Sequence, residues 1–186
     1  MEKAVLADEA QTRVAALQQI FRDRARVLSE IPSPEESGEK ISILAFQLRE
    51  ELYGIEVGYL AETRQSVPLR RLPWAPSHLC GIVNQRGELL PAIDLCPILG
   101  LPPQETPKVA PALLVVSFKE DKLAFLVDWA QDILTFPLKQ LKPPPLSLGP
   151  EHAIFVKGEL LVGNRPLTLL DMERLLQDPR LTGEKT

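Results

Sequence analysis

Eighteen prolines are spread through this chain of 186 residues, and none of them lies before residue 32. Proline has no amide hydrogen to donate and its ring clashes with the preceding turn, so it is excluded from helix interiors and from central strands. One long helix is therefore allowed only in the first 30 residues. Everything after them must be built from short elements between turns. The first segment uses that freedom. Ala10, Val14, Leu17, Phe21, Ala25 and Leu28 recur at steps of three and four, and Ile20 and Val27 widen the same face. This is the period of an amphipathic helix. Asp8 and Glu9 come early and Arg22, Arg24 and Arg26 come late, which suits the helix dipole. Pro32 and Pro34 stop the helix, and residues 32–40 read as a polar linker.

From residue 41 the pattern becomes that of strands. ISILAFQL (41–48) is a largely apolar strand, followed by a charged turn at Arg49, Glu50 and Glu51. Tyr53, Ile55 and Val57 then alternate with Gly54, Glu56 and Gly58, the period of a half-buried strand. CGIVNQ and ELLPAI flank Arg86-Gly87 as a hairpin, and ALLVVSF and LAFLVD flank a charged turn at residues 119–122. Residues 153–163 suggest further strands, AIFVKG and ELLVG, and PLTLL (166–170) one more. Residues 171–177 form a short closing helix that Pro179 ends. The organisation expected is a helix and linker over 1–40, a β-rich body over 41–177 and a tail over 178–186.

The body carries a degenerate internal repeat. Shifted by 70 positions, residues 44–62 lie on residues 114–132: strand falls on strand, charged turn on charged turn, Tyr59 on Trp129 and Glu62 on Asp132. Any two amphipathic hairpins share some of this likeness. The alternative is a pair of similar β-subdomains, each too small to be stable alone and sharing a core. Many short strands with proline-rich turns favour small barrels or sandwiches.

Composition limits the function more than it reveals it. The net charge is −4, with no basic block to attract nucleic acid. No apolar run approaches the roughly 20 residues of a membrane span, so membrane insertion is not expected. Charges interrupt the opening residues where an export signal needs an apolar stretch. Two cysteines, Cys80 and Cys96, fit a reducing compartment. A cytoplasmic location is expected.

Catalytic chemistry is not indicated. His78 and Cys80 form one H-x-C pair with no second pair to complete a metal site of the usual spacing. His152 follows Glu151 in a proline-rich stretch and reads as a solvated loop residue. Neither of the common glycine-rich nucleotide loops is present, and no cofactor or metal is expected. Asp94 and Asp128 each end an apolar strand, where aspartates usually cap or form turns. The polar feature that does need an account is Asn84-Gln85-Arg86-Gly87. An arginine at a hairpin tip before a glycine presents a rigid fork of five donors outward.

Those residues also carry a resemblance. Tyr53-Gly54-Ile55-Glu56-Val57, Glu62, Pro73-Trp74-Ala75-Pro76, and then Gly81, Asn84, Arg86, Gly87, Pro91, Asp94 and Leu95 resemble the CheW-like domain of bacterial chemotaxis coupling proteins and of the kinase CheA's regulatory end. Downstream, Leu126-Val127-Asp128, Lys142-Pro143-Pro144 and residues 154–158 and 166–176 look like the family's later elements, so the resemblance covers residues 41–177. Gln85 departs from it, standing where an apolar residue is usual. The N-terminal helix lies outside the minimal domain.

The resemblance implies a mainly β fold of two small SH3-like, five-stranded β-barrel subdomains around a common core. It implies a non-catalytic adaptor coupling a chemoreceptor to a CheA-type histidine kinase, placed at membrane-associated receptor arrays. By the same resemblance the receptor tip would meet Arg86, Asn84, Gly87 and Gly81, and the kinase would meet Leu60 and Glu62. Val14, Leu17, Phe21 and Leu28 would give the N-terminal helix a face for its own domain or for another helix. Two other readings stand beside this one. The first is a scaffold of a chemosensory pathway serving pili, biofilm or development. The second, of a different class, is a small-molecule-binding regulator with its site around Cys80 and His78.

Overall fold

A computed structural model of the protein describes residues 38–65, 68–101, 112–119, 121–145 and 148–182. The expected N-terminal helix and its face (Val14, Leu17, Phe21, Leu28) lie outside the described residues. The strands are β1 (Lys40–Leu48), β2 (Glu51–Glu56), β3 (Leu60–Gln65), β4 (Leu69–Arg70), β5 (Leu79–Gln85), β6 (Glu88–Asp94), β7 (Ala112–Phe118), β8 (Asp121–Val127), β9 (Trp129–Pro137), β10 (Val156–Val162) and β11 (Arg165–Leu170). Short helices α1 (Pro150–Ala153), α2 (Met172–Leu176) and α3 (Pro179–Thr182) complete the described chain.

Tight turns fix the hairpins. Leu48 pairs with Glu51, Gln85 with Glu88, Phe118 with Asp121 and Val162 with Arg165, which leaves two residues in each loop. Two-residue hairpins need positive φ to match strand twist. Arg49 (59°), Arg86 (52°), Gly87 (91°), Lys119 (56°) and Gly163 (61°) supply it. The turn after β7 is thus shorter than the four charged residues suggest, because Asp121 and Lys122 already pair with Phe118 and Ser117. Nor do residues 153–163 make two strands. Ala153 ends α1, and a single strand runs through Gly158. Pro179 opens α3 beyond the expected end of the body, with Asp178 Oδ1 accepting from the Arg180 amide at 2.9 Å.

The strands form two sheets, in the orders β10-β11-β2-β1-β9 and β3-β7-β8-β6-β5-β4. The sequence repeat reappears here with a twist. Hairpin β1–β2 is completed by β9–β11, and hairpin β7–β8 by β3–β6. Each sheet therefore takes its hairpin from one repeat and its remaining strands from the other. The halves meet twice in each sheet, in parallel at β11–β2 and β6–β8 and antiparallel at β1–β9 and β3–β7. Matching backbone bonds mark both halves: the Asp94 amide donates to the His78 carbonyl at 2.8 Å, and the Asp171 amide donates to the Phe155 carbonyl at 2.8 Å.

Each sheet then closes on itself. In the second, Arg70 pairs with Ile82, so the strand after β3 crosses to the far edge. In the first, Lys142 bridges to Glu159 beyond β9 in the same way. Both crossings run over a glycine. A Cβ on Gly81 would lie 2.2 Å from the Arg70 carbonyl oxygen, and one on Gly158 would lie 2.3 Å from that of Lys142.

Closure explains why β1 is apolar along its length. Ile41, Ile43 and Ala45 face a cluster inside the first sheet, with Leu52, Leu160, Leu167 and Leu169. Leu44, Phe46 and Leu48 face the opposite way, into a larger cluster with Leu114, Val116 and Phe125 from the second sheet. Leu113 and Val115 fill the second sheet's own interior. A strand buried on both faces loses the alternation of a half-buried one. The result is two small closed sheets around a shared core, which Met172, Leu175 and Leu176 of α2 help to fill.

Candidate functional site

The hairpin tip is built by its own backbone chemistry. Asn84 Oδ1 accepts from the Gly87 amide at 2.8 Å, which holds the turn from inside. Gly87 takes the second positive φ, and Gly81 is buried beneath the crossing strand. Asn84, Gly87 and Gly81 therefore shape the hairpin, and Arg86 is the residue it presents, with 80% of its side chain exposed.

Arg86 reaches across to β3. Its Nη2 lies 3.3 Å from Glu62 Oε2. Beside them sits Gln85, 6% exposed and the only buried polar side chain among the described residues. Gln85 Nε2 donates to Glu62 Oε2, and Arg64 Nη1 donates to Gln85 Oε1 at 2.7 Å. β3 and β5 stand near opposite edges of the second sheet, so this network is also a side-chain seam of its closure. Leu60 lies on the same strand, half-buried against the shared core. Sequence reasoning divided Arg86 from Leu60 and Glu62; the structure brings them onto one edge.

An exposed ion pair contributes roughly 0–1 kcal/mol to stability. The Arg86–Glu62 pair is therefore a poor strut, and its exposed guanidinium is better suited to a partner. The buried amide is different. It fixes Glu62 while satisfying both of its own polar ends. Gln85→Leu should change the urea unfolding free energy by no more than about 1 kcal/mol, because Glu62 and Arg64 can both be solvated. Urea denaturation of the variant beside the wild type checks this.

A separate cleft of about 420 Å³ opens between the sheets. The β1–β2 turn (Leu48, Arg49) forms one wall. The segment from Leu69 to Cys80 and the ends of β6 and β8 form the other. Neither Arg86 nor Glu62 lines it. Asp94 and Asp128 do, and both serve the fold: Asp94 Oδ1 accepts from the Cys96 amide at 2.9 Å, and Asp128 Oδ2 from the Arg49 amide at 2.5 Å. Strand-end aspartates are turn formers here, as their positions suggest. Both thiols also border the cleft. Burial, then the Asp94 charge, pushes Cys96 up to about 12, and the same two causes raise Cys80. Burial thus favours the neutral thiol at both positions. Among the described residues no group of three or more His, Cys, Asp or Glu side chains is placed to hold a metal ion.

With the hairpin, the seam and the two closed sheets in view, the comparisons with known proteins agree. A family model described as the CheW-like domain matches residues 42–180. The chain belongs to the CheW-like domain family. It is 29% identical over 155 residues to the chemotaxis protein CheW of Klebsiella aerogenes, covering 78% of this chain and 88% of that one. It is 28% identical over 131 residues to chemotaxis protein CheW of Rhizobium meliloti, covering 70% and 84%. The crystal structure of the scaffolding protein TtCheW from Thermoanaerobacter tengcongensis shares the fold, with a TM-score of 0.62 and 24% identity over 72% of this chain and 90% of that one. Among the described residues no helix is long and apolar enough to cross a membrane.

Sequence reasoning missed two parts of this CheW-like domain. Gln85 was visible only as a departure from the family pattern, and its partners lie on a strand more than 20 positions away. Leu72 and Trp74, on the wall of the cleft, were not singled out, Trp74 entering only within the Pro73-Trp74-Ala75-Pro76 loop. Their signal was a large aromatic between two prolines with no apolar period around it to bury it.

Proposed function

We propose that this protein is a non-catalytic adaptor of a chemosensory pathway, coupling a chemoreceptor to a CheA-type histidine kinase at membrane-associated arrays. One observation carries the reading: a single rigid β body offers two surfaces that share no residue, the Leu60–Glu62–Arg86 edge and the cleft between the sheets. An adaptor needs two such surfaces, and an enzyme needs one site with reactive groups. The relatives' names place them in chemotaxis, and the solved neighbour is called a scaffolding protein.

In this assignment the kinase's own CheW-like regulatory domain docks on the edge, which moves Arg86 from the receptor side, where the resemblance put it, because it shares that edge with Glu62. Arg86 and Glu62 set the register and Leu60 supplies apolar contact. The receptor's helical tip enters the cleft. Asn84, Gly81 and Gly87 act indirectly, by holding the hairpin. Charged anchors of this kind typically cost about 2 kcal/mol or more of binding when truncated. Calorimetric titration of the full chain against the kinase regulatory domain tests this, with Arg86→Ala and Glu62→Lys as variants. Both should weaken kinase binding about thirtyfold or more while leaving receptor binding unchanged. Kinase affinity unaltered in both variants would refute the edge assignment. Absence of binding to either partner by the wild type would refute the adaptor reading itself.

A further inference from the structure

The second sheet closes with polar groups where the first closes without them. Gln85 and Val162 each stand four residues beyond a crossing glycine, Gly81 and Gly158. On the facing strands the 70-residue repeat sets Arg64 against Leu134. Leu134 and Val162 pack on the interior cluster of the first sheet. Apolar side chains are therefore sufficient at this point of the fold. The second sheet instead buries the amide of Gln85, whose Oε1 accepts from Arg64 Nη1 at 2.7 Å. Exchanging a satisfied polar pair for apolar groups of similar shape is close to neutral for stability. Folding alone does not call for the amide, and what remains is the edge that it shapes.

The amide governs charge on that edge. Its contacts run in the order Arg64, Gln85, Glu62, Arg86, with Glu62 Oε2 taking both Gln85 Nε2 and Arg86 Nη2. Two guanidinium groups thus share one carboxylate, an excess of one positive charge. Glu88, further along the hairpin, is balanced by Lys122 Nζ at 2.6 Å. Arg64 itself is exposed and makes no ion pair among the described residues. A glutamate at position 85 would hold Arg64 and cancel its charge. A leucine would keep the charge and release the side chain. The amide holds the guanidinium and leaves its charge intact, so less side-chain freedom is lost when a partner arrives.

We propose that Arg64 is a specificity-determining residue of this edge, aimed by Gln85, and that it selects a partner surface presenting a carboxylate opposite it. Gln85 is the positioning residue and acts through Arg64. This rests on the reading that the kinase's CheW-like domain docks on the edge, and it adds the charge that such a domain must carry there.

The probe is the CheW-like regulatory domain of the kinase from the same cell, titrated calorimetrically against the full chain at low and at physiological salt. Urea midpoints of each variant verify folding. Arg64→Gln should weaken binding about tenfold and flatten its salt dependence. Gln85→Glu should do the same although the guanidinium is still present. Gln85→Leu should weaken binding about threefold and keep the salt dependence. Combined with Arg64→Gln it should add nothing, because the amide acts through the arginine. Losses that multiply in the double variant would overturn the positioning role of Gln85. Wild-type affinity and salt dependence in Arg64→Gln would overturn the selection of a carboxylate while leaving the adaptor reading intact. A wild-type chain that does not bind the kinase domain would overturn the edge assignment and this inference together.

Discussion

Gly81→Ala and Gly158→Ala are each expected to destabilise the protein by about 3 kcal/mol or more, the upper end for a single added methyl. The reason is backbone against backbone. At 2.2 and 2.3 Å the new carbon would meet the carbonyl oxygens of Arg70 and Lys142, not the tip of a side chain that can swing aside. Both carbonyls belong to the segments that cross each sheet to its far edge. Relief therefore means opening a sheet. Gly58 is the internal control: a Cβ there meets nothing within 4 Å, so Gly58→Ala should be neutral or slightly stabilising. Urea midpoints of the three variants decide it. A Gly81→Ala protein as stable as the control would mean that the crossing strand is not held against β5.

Phe125→Ala should be as severe and should reveal how the sheets depend on each other. Phe125 is fully buried on β8 and faces the shared core. Removing a buried phenyl ring costs about 3–5 kcal/mol, against a total stability of about 5–15 kcal/mol for a domain. The first sheet does not contain Phe125, yet it should melt with the second. Amide exchange in β9 and in β5 should collapse together, and thermal unfolding should stay a single transition. Protection that survives in β9 while β5 exchanges freely would show the two sheets to be independent.

Much of this body was legible in the sequence because local chemistry and tertiary structure agree. The Arg86-Gly87 turn sits between strands whose residues pair as the pattern suggests. Asp171 caps α2 through the Arg174 amide at the expected start of the closing helix. The failures have physical causes. Gly158 looks like a break between two strands, but it is the point where Lys142 passes over one continuous strand. β9 was not read as a strand at all, because Trp129 and Ile133 are exposed while Leu134 and Phe136 pack inward, which blurs the alternation. The repeat was visible, but its exchange was not. Parallel pairing of β6 with β8 and of β11 with β2 leaves no local mark, since each strand satisfies its partner from a distance. At the candidate site, Arg86 and Glu62 were identified singly. They meet directly across the barrel, beside Gln85, whose buried amide is matched by Glu62 and Arg64 rather than by its own strand.

The exchange also imposes an order on biosynthesis. Every strand of the second sheet lies between residues 60 and 127, an unbroken stretch of chain. The first sheet brackets it and has its last strand only at residue 170. As the chain leaves the ribosome from its N-terminus, β1 and β2 emerge first and must wait, with apolar residues on both faces of β1, while the sheet encoded inside them is finished. The nascent hairpin is thus the segment a holding chaperone would be expected to grasp, and the interior sheet, once folded, is the template onto which its older neighbour finally closes.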